Sequence, residues 1–223
     1  MVELVCDDCL NYMKSAAEPD LIFADPPYNL GKDFGNLSDK QDWQSYKTWT
    51  SKWVNAAIEL LSERGTMFIT ISPHPWLVNL YLDILPQKRL RLMPWVKTTG
   101  MLHKFAKNWE WFWELMLCSR KSDTYVYLKP DGIEARDWWA LPTPWVEHHN
   151  RWFKHPSQKP ERLLKKIILT SSNIGDIVFD PFLGSGTTAL VCYQTDRHFY
   201  GCDINPDFVE LSKCRLRKAG WKG

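Results

Sequence analysis

Several absences narrow the field before any motif is read. No stretch approaches the roughly 18 consecutive apolar residues that a membrane-spanning helix needs, and the opening Met1-Val-Glu-Leu-Val-Cys-Asp-Asp is acidic where a secretory leader is basic and then apolar. Both absences imply a cytoplasmic chain with no membrane partner. Cysteine is scarce: six in 223 residues do not build a disulfide scaffold, and in a reducing compartment they stay thiols. Cys6 and Cys9 form the one C-x-x-C, no second pair stands at zinc spacing, and the adjacent His148 and His149 point their side chains apart. No metal is expected. Internal repeats and low-complexity tracts are also missing.

What is present fits one folded domain. At 223 residues with 44% hydrophobic and 24% charged content, the chain should bury roughly 70% of its unfolded surface. A formal net charge of +2 conceals an asymmetry: residues 1–75 carry 11 acidic and 6 basic groups, and residues 76–223 carry 15 and 22. Lys88, Arg89, Arg91, Lys97, Lys104 and Lys107 fall within twenty residues that contain no acid. Such a run can track a phosphate backbone or simply form a solvated helix end and loop.

Apolar bursts of four to eight residues alternate with longer amphipathic stretches, the pattern of an open, mostly parallel sheet with intervening helices. Strands are predicted near Val2–Val5, Leu21–Ala24, Thr66–Ile71, Leu90–Val96, Glu114–Ser119, Ile177–Phe179 and Phe199–Cys202. A helix is predicted over Asp42–Ser62, with Asp42 as N-cap, Trp43, Tyr46, Trp49 and Trp53 at helical spacing, and Gly65 beyond its end. Pro160 and Pro206 open two more at first-turn positions. From Ser122 to Pro156 periodicity fades among Pro130, Gly132, Pro142 and Pro144. The chain therefore divides into residues 1–121, an insert at 122–156, and residues 157–223. Thirteen tryptophans are expected mostly in core or interface, because the side chain is so large.

Two loops carry chemistry. Asp25-Pro26-Pro27-Tyr28 follows the apolar Leu21-Ile-Phe-Ala24. Two prolines stiffen the turn and remove two donors, which keeps the Pro26 carbonyl out of any following helix. A carboxylate, a bare carbonyl and an aromatic ring then suit a planar group bearing an exocyclic amine: two acceptors for its N–H groups and a ring for stacking. An Asx-type turn with a packed tyrosine is the plainer alternative. The second loop, Asp180-Pro-Phe-Leu-Gly-Ser-Gly-Thr-Thr188, lies between a strand and a helix. Glycines at 184 and 186 admit close backbone approach, and the helix N-terminus offers free N–H groups. Asp203 stands 17 residues past Gly186 at the end of the next strand, the arrangement that holds ribose hydroxyls in nucleotide folds. Position 189 is Ala where a third glycine would complete G-x-G-x-x-G, so a dinucleotide site stays open, although nothing else marks hydride chemistry.

With both loops read, the chain resembles the S-adenosylmethionine-dependent DNA amino-methyltransferases with motifs in the β order. That family places D-P-P-Y before F-x-G-x-G with the target-recognition region between, as Asp25–Tyr28, the 122–156 insert and Phe182–Gly186 do here. His155-Pro-Ser-Gln-Lys-Pro160 resembles the family's H-x-x-Q-K-P, and Asp7-Asp8-Cys9-Leu10 resembles G-D-C-L with Asp7 replacing glycine. The resemblance spans residue 2 to about 215 outside the insert.

The resemblance implies a Rossmann-like α/β fold: a seven-stranded, mostly parallel sheet ordered 3-2-1-4-5-7-6 with one antiparallel strand, helices on both faces, and the Ile177 strand counted first. It implies S-adenosylmethionine as cofactor, cradled by Phe182, Gly184, Ser185, Gly186 and Thr187. Asp203 would hold the ribose, and Asp8 with the Cys9 backbone would bind the adenine. His155, Ser157, Gln158 and Lys159 would lie at the methionine end, where Lys159 offsets the carboxylate. Asp25, Pro26, Pro27 and Tyr28 would be catalytic, the first two residues gripping the target amine and Tyr28 stacking on the flipped base. Lys88, Arg89, Arg91, Lys97, Lys104, Lys107 and Arg151 would hold phosphates. The implied partner is double-stranded DNA and the implied source a bacterium or phage; a homodimer and a cognate restriction enzyme stay open.

The function expected is methylation of adenine N6, since D-P-P-Y leans toward adenine within the family. Cytosine N4 is the close alternative, and RNA is a third possible substrate. Readings from other classes are a nucleic-acid-binding module that has lost catalysis and a nicotinamide oxidoreductase.

Overall fold

Side-chain alternation along buried strands sets the layers. In the computed structural model, which describes residues 1–34, 38–99, 109–130, 136–144 and 157–223, eight strands form one sheet: β1 Val2–Cys6, β2 Leu21–Ala24, β3 Thr66–Ile71, β4 Leu90–Lys97, β5 Trp113–Arg120, β6 Trp139–Leu141, β7 Ile177–Asp180 and β8 His198–Asp203. All four residues of β2 are buried, and successive ones serve opposite sides. Leu21 and Phe23 join a core with Leu163, Ile167 and Val191, whereas Ile22 and Ala24 join one with Trp53, Val54 and Leu77. Apolar groups on both faces demand cover on both faces. Helices α4 (Glu161–Ser171), α5 (Thr187–Gln194) and α6 (Pro206–Lys218) cover one; α1 (Cys9–Tyr12), α2 (Trp43–Leu60) and α3 (Pro75–Ile84) cover the other.

Strand order is β1-β8-β7-β2-β3-β5-β4-β6. With β7 counted first, seven of these reproduce 3-2-1-4-5-7-6, so the Rossmann-like expectation is borne out. β5 runs antiparallel to both β3 and β4, and every other pairing is parallel. The eighth strand corrects the sequence reading: β6 lies inside the aperiodic insert and pairs in parallel with β4, Trp95 opposite Trp139. Three residues are too few to show alternation, and the free edge of β4 supplies the hydrogen-bond template.

Local signals explain the helices. Asp42 caps α2 by accepting the Ser45 N–H at 3.0 Å, and Tyr46, Thr50, Trp53, Val54 and Ala57 form its buried stripe. The helix stops at Leu60, short of the expected Ser62, because Leu61 turns extended and the Ser62 N–H donates to the Pro19 carbonyl. Pro160 is the N-cap of α4 rather than its first-turn residue. Pro206 does open α6, where Asn205 accepts the Asp207 N–H. Helices α1 and α3 were not foreseen from the sequence. Of the tryptophans, Trp53, Trp95 and Trp139 are buried, whereas Trp43, Trp76, Trp109, Trp111 and Trp138 are exposed.

Trp53 contacts Phe182 edge-on at 5.1 Å and Tyr81 at 6.2 Å, so it ties α2 to the glycine loop. Trp53→Ala should lower unfolding free energy by about 3–5 kcal/mol in guanidinium titrations; a loss below about 1 kcal/mol would contradict this packing.

Candidate active site

Strands β1, β8, β7 and β2 run parallel and end at one edge of the sheet, and each end delivers carboxylates: Asp7 and Asp8 after β1, Asp203 on β8, Asp180 on β7 and Asp25 after β2. These groups line one cavity of about 700 Å³, which also takes in Pro26, Pro27, Tyr28, Phe182, Leu183, Gly184 and Ser185. The two loops meet because β2 pairs directly with β7, Leu21 opposite Val178. This is the switch point where chain winding reverses, the usual place for a ligand in open α/β sheets.

Carboxylates crowded into a half-dry space need donors. Asp8 caps α1, accepting the Leu10 and Asn11 N–H groups at 2.9 and 3.3 Å. Asp203 accepts the Gly184 N–H at 2.8 Å and the Asn205 N–H at 2.9 Å, and burial raises its pKa. Asp180 accepts from Phe182 N at 2.9 Å and Thr188 Oγ1 at 2.6 Å, yet burial still pushes it up to about 7. Cys9 is buried, its thiol pushed up to about 12 chiefly by desolvation.

The glycine loop is finished from below by α6. Ser212 Oγ donates to the Gly184 carbonyl at 3.1 Å, and the Arg215 guanidinium donates to the Ser185 carbonyl at 3.0 Å. Gly186 has φ +69°, and a Cβ there would stand 2.5 Å from Ser212 Oγ. Its glycine is thus required by helix packing and backbone conformation, whereas the sequence reading gave it to ligand approach. Gly184, Ser185, Thr187 and Phe182 line the cavity.

On the opposite wall the double-proline turn is held by Tyr46, whose buried hydroxyl donates to the Pro27 carbonyl at 2.9 Å. Among the described residues no donor reaches the Pro26 carbonyl. Asp25 Oδ1 accepts from Thr70 Oγ1 at 2.6 Å and from the Tyr28 hydroxyl at 2.7 Å, while Oδ2 lies 2.7 Å from Lys159 Nζ. Burial, reinforced by the neighbouring Asp25 and Glu114, carries the Tyr28 phenol well above its ordinary pKa, so it stays a donor.

Sequence reasoning missed Glu114, at the site end of β5. Its Oε2 lies 3.1 Å from Lys159 Nζ and its Oε1 2.7 Å from Lys97 Nζ. Burial opposes its charge, but Lys159 and Lys97 together hold it well below the usual carboxylate range. Lys159 remains protonated because Asp25 and Glu114 overcome the desolvation that would lower it. The ammonium expected to face a cofactor carboxylate also pairs with two side chains of its own chain. A lone acid in the apolar run Trp113-Glu-Leu-Met-Leu-Cys118 was the available signal. Lys32 was missed as well; it lines the cavity and donates to Ser157 Oγ at 2.7 Å.

The basic run does not form one stripe. Because β4 is an extended strand, Arg91 and Lys97 stand about 20 Å apart: Lys97 lines the cavity, whereas Lys88, Arg89 and Arg91 sit at the other end of the sheet. There Arg89 pairs with the exposed Asp123 at 3.0 Å. Ser157 and Lys159 line the cavity and Gln158 does not. Lys104, Lys107, Arg151 and His155 lie outside the described residues. No cluster of metal-binding side chains occurs among the described residues.

Residues 19–214 match the family model described as DNA methylase, of the N6 and N4 type. The chain belongs to the DNA methylase family. Relatives include the type II methyltransferase M.HpaI of Haemophilus parainfluenzae, 31% identical over 96% of this chain and 73% of that protein, and M2.DpnII of Streptococcus pneumoniae, 34% identical over 88% and 82%. The DNA adenine methyltransferase YhdJ of Escherichia coli K12 is 30% identical over 96% and 82%. Among solved structures, M1.HpyAVI in complex with SAM superposes with a TM-score of 0.76 at 26% identity, covering 97% of this methylase and 99% of that chain.

The raised Asp180 carboxyl has a signed consequence. Between its ordinary value in the unfolded chain and about 7 in the fold, the native protein binds the extra proton, so the favourable contribution is lost as pH rises through 7. Calorimetry should show the wild-type melting temperature falling between pH 5 and 8 by more than that of Asp180→Asn; parallel curves would contradict a proton held at this site.

Proposed function

We propose that the protein transfers a methyl group from S-adenosylmethionine to the exocyclic N6 of adenine in double-stranded DNA, by base flipping and direct displacement. The observation that carries this reading is the single cavity shared by an amine-gripping turn and a nucleoside cradle. The cradle's donor set fits the cofactor. Asp203 retains acceptor capacity for ribose hydroxyls beyond its two N–H partners, Phe182 and Ile204 offer apolar walls for a purine, and the Gly184 turn leaves room beside them. Asp8 and Cys9 complete the adenine end. The SAM complex of M1.HpyAVI supports the same choice.

When bound, S-adenosylmethionine supplies a sulfonium-activated methyl group, whose transfer breaks the S–C bond, forms the N–C bond and releases one proton from the amine. The chain's own work is alignment. An exocyclic amine is a poor nucleophile because its lone pair is delocalised into the ring. Accepting its two N–H groups at Asp25 and the Pro26 carbonyl draws the nitrogen toward a tetrahedral shape and aims the lone pair into the cavity. For well-oriented reactants such positioning contributes up to about 7–11 kcal/mol. Rotating the base out of the duplex costs a few kcal/mol, offset in part by stacking on Tyr28.

Adenine is favoured by the aspartate at position 25 and by the relative described as a DNA adenine methyltransferase. Residues 122–156 serve as the target-recognition region, and of the basic groups named from the sequence Lys104, Lys107 and Arg151 are the ones left for phosphates. The type II names of two relatives support a cognate restriction enzyme as partner.

Incubation with methyl-labelled cofactor and duplex DNA, followed by digestion to nucleosides, should place the label in N6-methyladenine; label in N4-methylcytosine would overturn the adenine assignment. Asp25→Ala should slow transfer at least 100-fold while calorimetry shows cofactor affinity retained. A fully active variant would end the gripping argument.

A further inference from the structure

Asp25 is not an unencumbered carboxylate. An ionised carboxylate has about four acceptor positions, and three are taken: two on Oδ1 by Thr70 and Tyr28, one on Oδ2 by Lys159. One position remains, on Oδ2, next to the ammonium. The placement of Lys159 therefore decides where an incoming N–H can bond, and Lys159 is itself held from behind. Glu114 on β5 approaches it at 3.1 Å while pairing with Lys97 of β4 at 2.7 Å. The strands fix that geometry, since Trp95 of β4 stands opposite Glu114 in the sheet.

Resting on the methyltransferase reading, we propose that Glu114 is a positioning residue for transfer, which with Lys97 anchors the Lys159 ammonium on Asp25 and leaves that carboxylate one acceptor position for the target amine. The charge balance points the same way. As the S–C bond breaks and the N–C bond forms, positive charge moves from sulfur to the amine nitrogen, whose proton then passes along its hydrogen bond to Asp25 and on to solvent. An ammonium beside that nitrogen opposes the shift unless acids flank it on both sides. Facing Lys159 are Asp25 from the end of β2, Glu114 from β5, the Tyr28 ring at 5.7 Å, and at longer range Lys32; Lys97 is screened by Glu114.

Removing Glu114 leaves a buried lysine with one anion instead of two, so the lysine loses its proton at lower pH. Single-turnover methylation of duplex DNA by the protein tests this. The wild-type rate should stay level from pH 7 to about 10. Glu114→Gln should be at least tenfold slower at pH 7.5, with a new fall in rate centred at or below pH 9, and calorimetric affinity for S-adenosylmethionine within threefold of wild type. Glu114→Asp should recover part of the rate and move the fall back toward higher pH. A Glu114→Gln profile that keeps the wild-type shape overturns the proposal, whether or not the rate drops. So does a wild-type rate that already falls below pH 9, an outcome readable even where the glutamine variant does not fold. Were the wild type to methylate no nucleic acid, the underlying reading would fail instead.

Discussion

The parallel pairing of β2 with β7 is the constraint on which the site depends. Leu21 and Ile22 lie beside Val178 and Phe179, although the two segments are more than 150 residues apart in the chain. Their ends must emerge side by side, and the turns that follow, one stiffened by prolines and one loosened by glycines, inevitably open into the same space. Arg64 secures the opposite end of this pair by bridging Asp20 and Asp176 at 3.3 and 2.8 Å. Displacing either strand by one residue would exchange its two apolar faces, so core packing and site assembly are one requirement.

That convergence concentrates negative charge in a poorly hydrated place, and the structure answers it in two ways. Toward the glycine loop, carboxylates are satisfied by backbone N–H groups, which add no net charge and leave oxygens available. Toward the proline turn, compensation is ionic: Asp25, Lys159, Glu114 and Lys97 alternate in sign. The first arrangement suits a neutral sugar, the second a nitrogen that becomes cationic. Asp180, between the two walls and close to both Asp25 and Asp203, is left to accommodate its burial by holding a proton near neutrality.

Much of this was legible in the sequence because the informative residues are local. Leu21–Tyr28 and Ile177–Thr188 each contain a strand, its end and the chemistry at that end, and the order of apolar bursts yields the sheet once the winding is known. What escaped depends on partners distant in sequence. Nothing near Glu114 announces that Lys97 and Lys159 will close on it, and only the antiparallel placement of β5 brings it to the active edge. The split of the basic run is a matter of geometry as well: residues adjacent in a string become far apart on an extended strand. β6 was illegible because three residues carry no period.

The way α6 completes the glycine loop bears on how the molecule comes into being. Ser212 and Arg215 hold the carbonyls of Gly184 and Ser185, so the nucleoside wall takes its final form only once α6 has docked. The proline wall, ending at Tyr28, has by then long been synthesised. Its apolar strand β2 pairs on one side with β3, early in the chain, and on the other with β7, late in it. The finished site thus needs segments from β2 through α6, and residues 1–121 alone do not contain it.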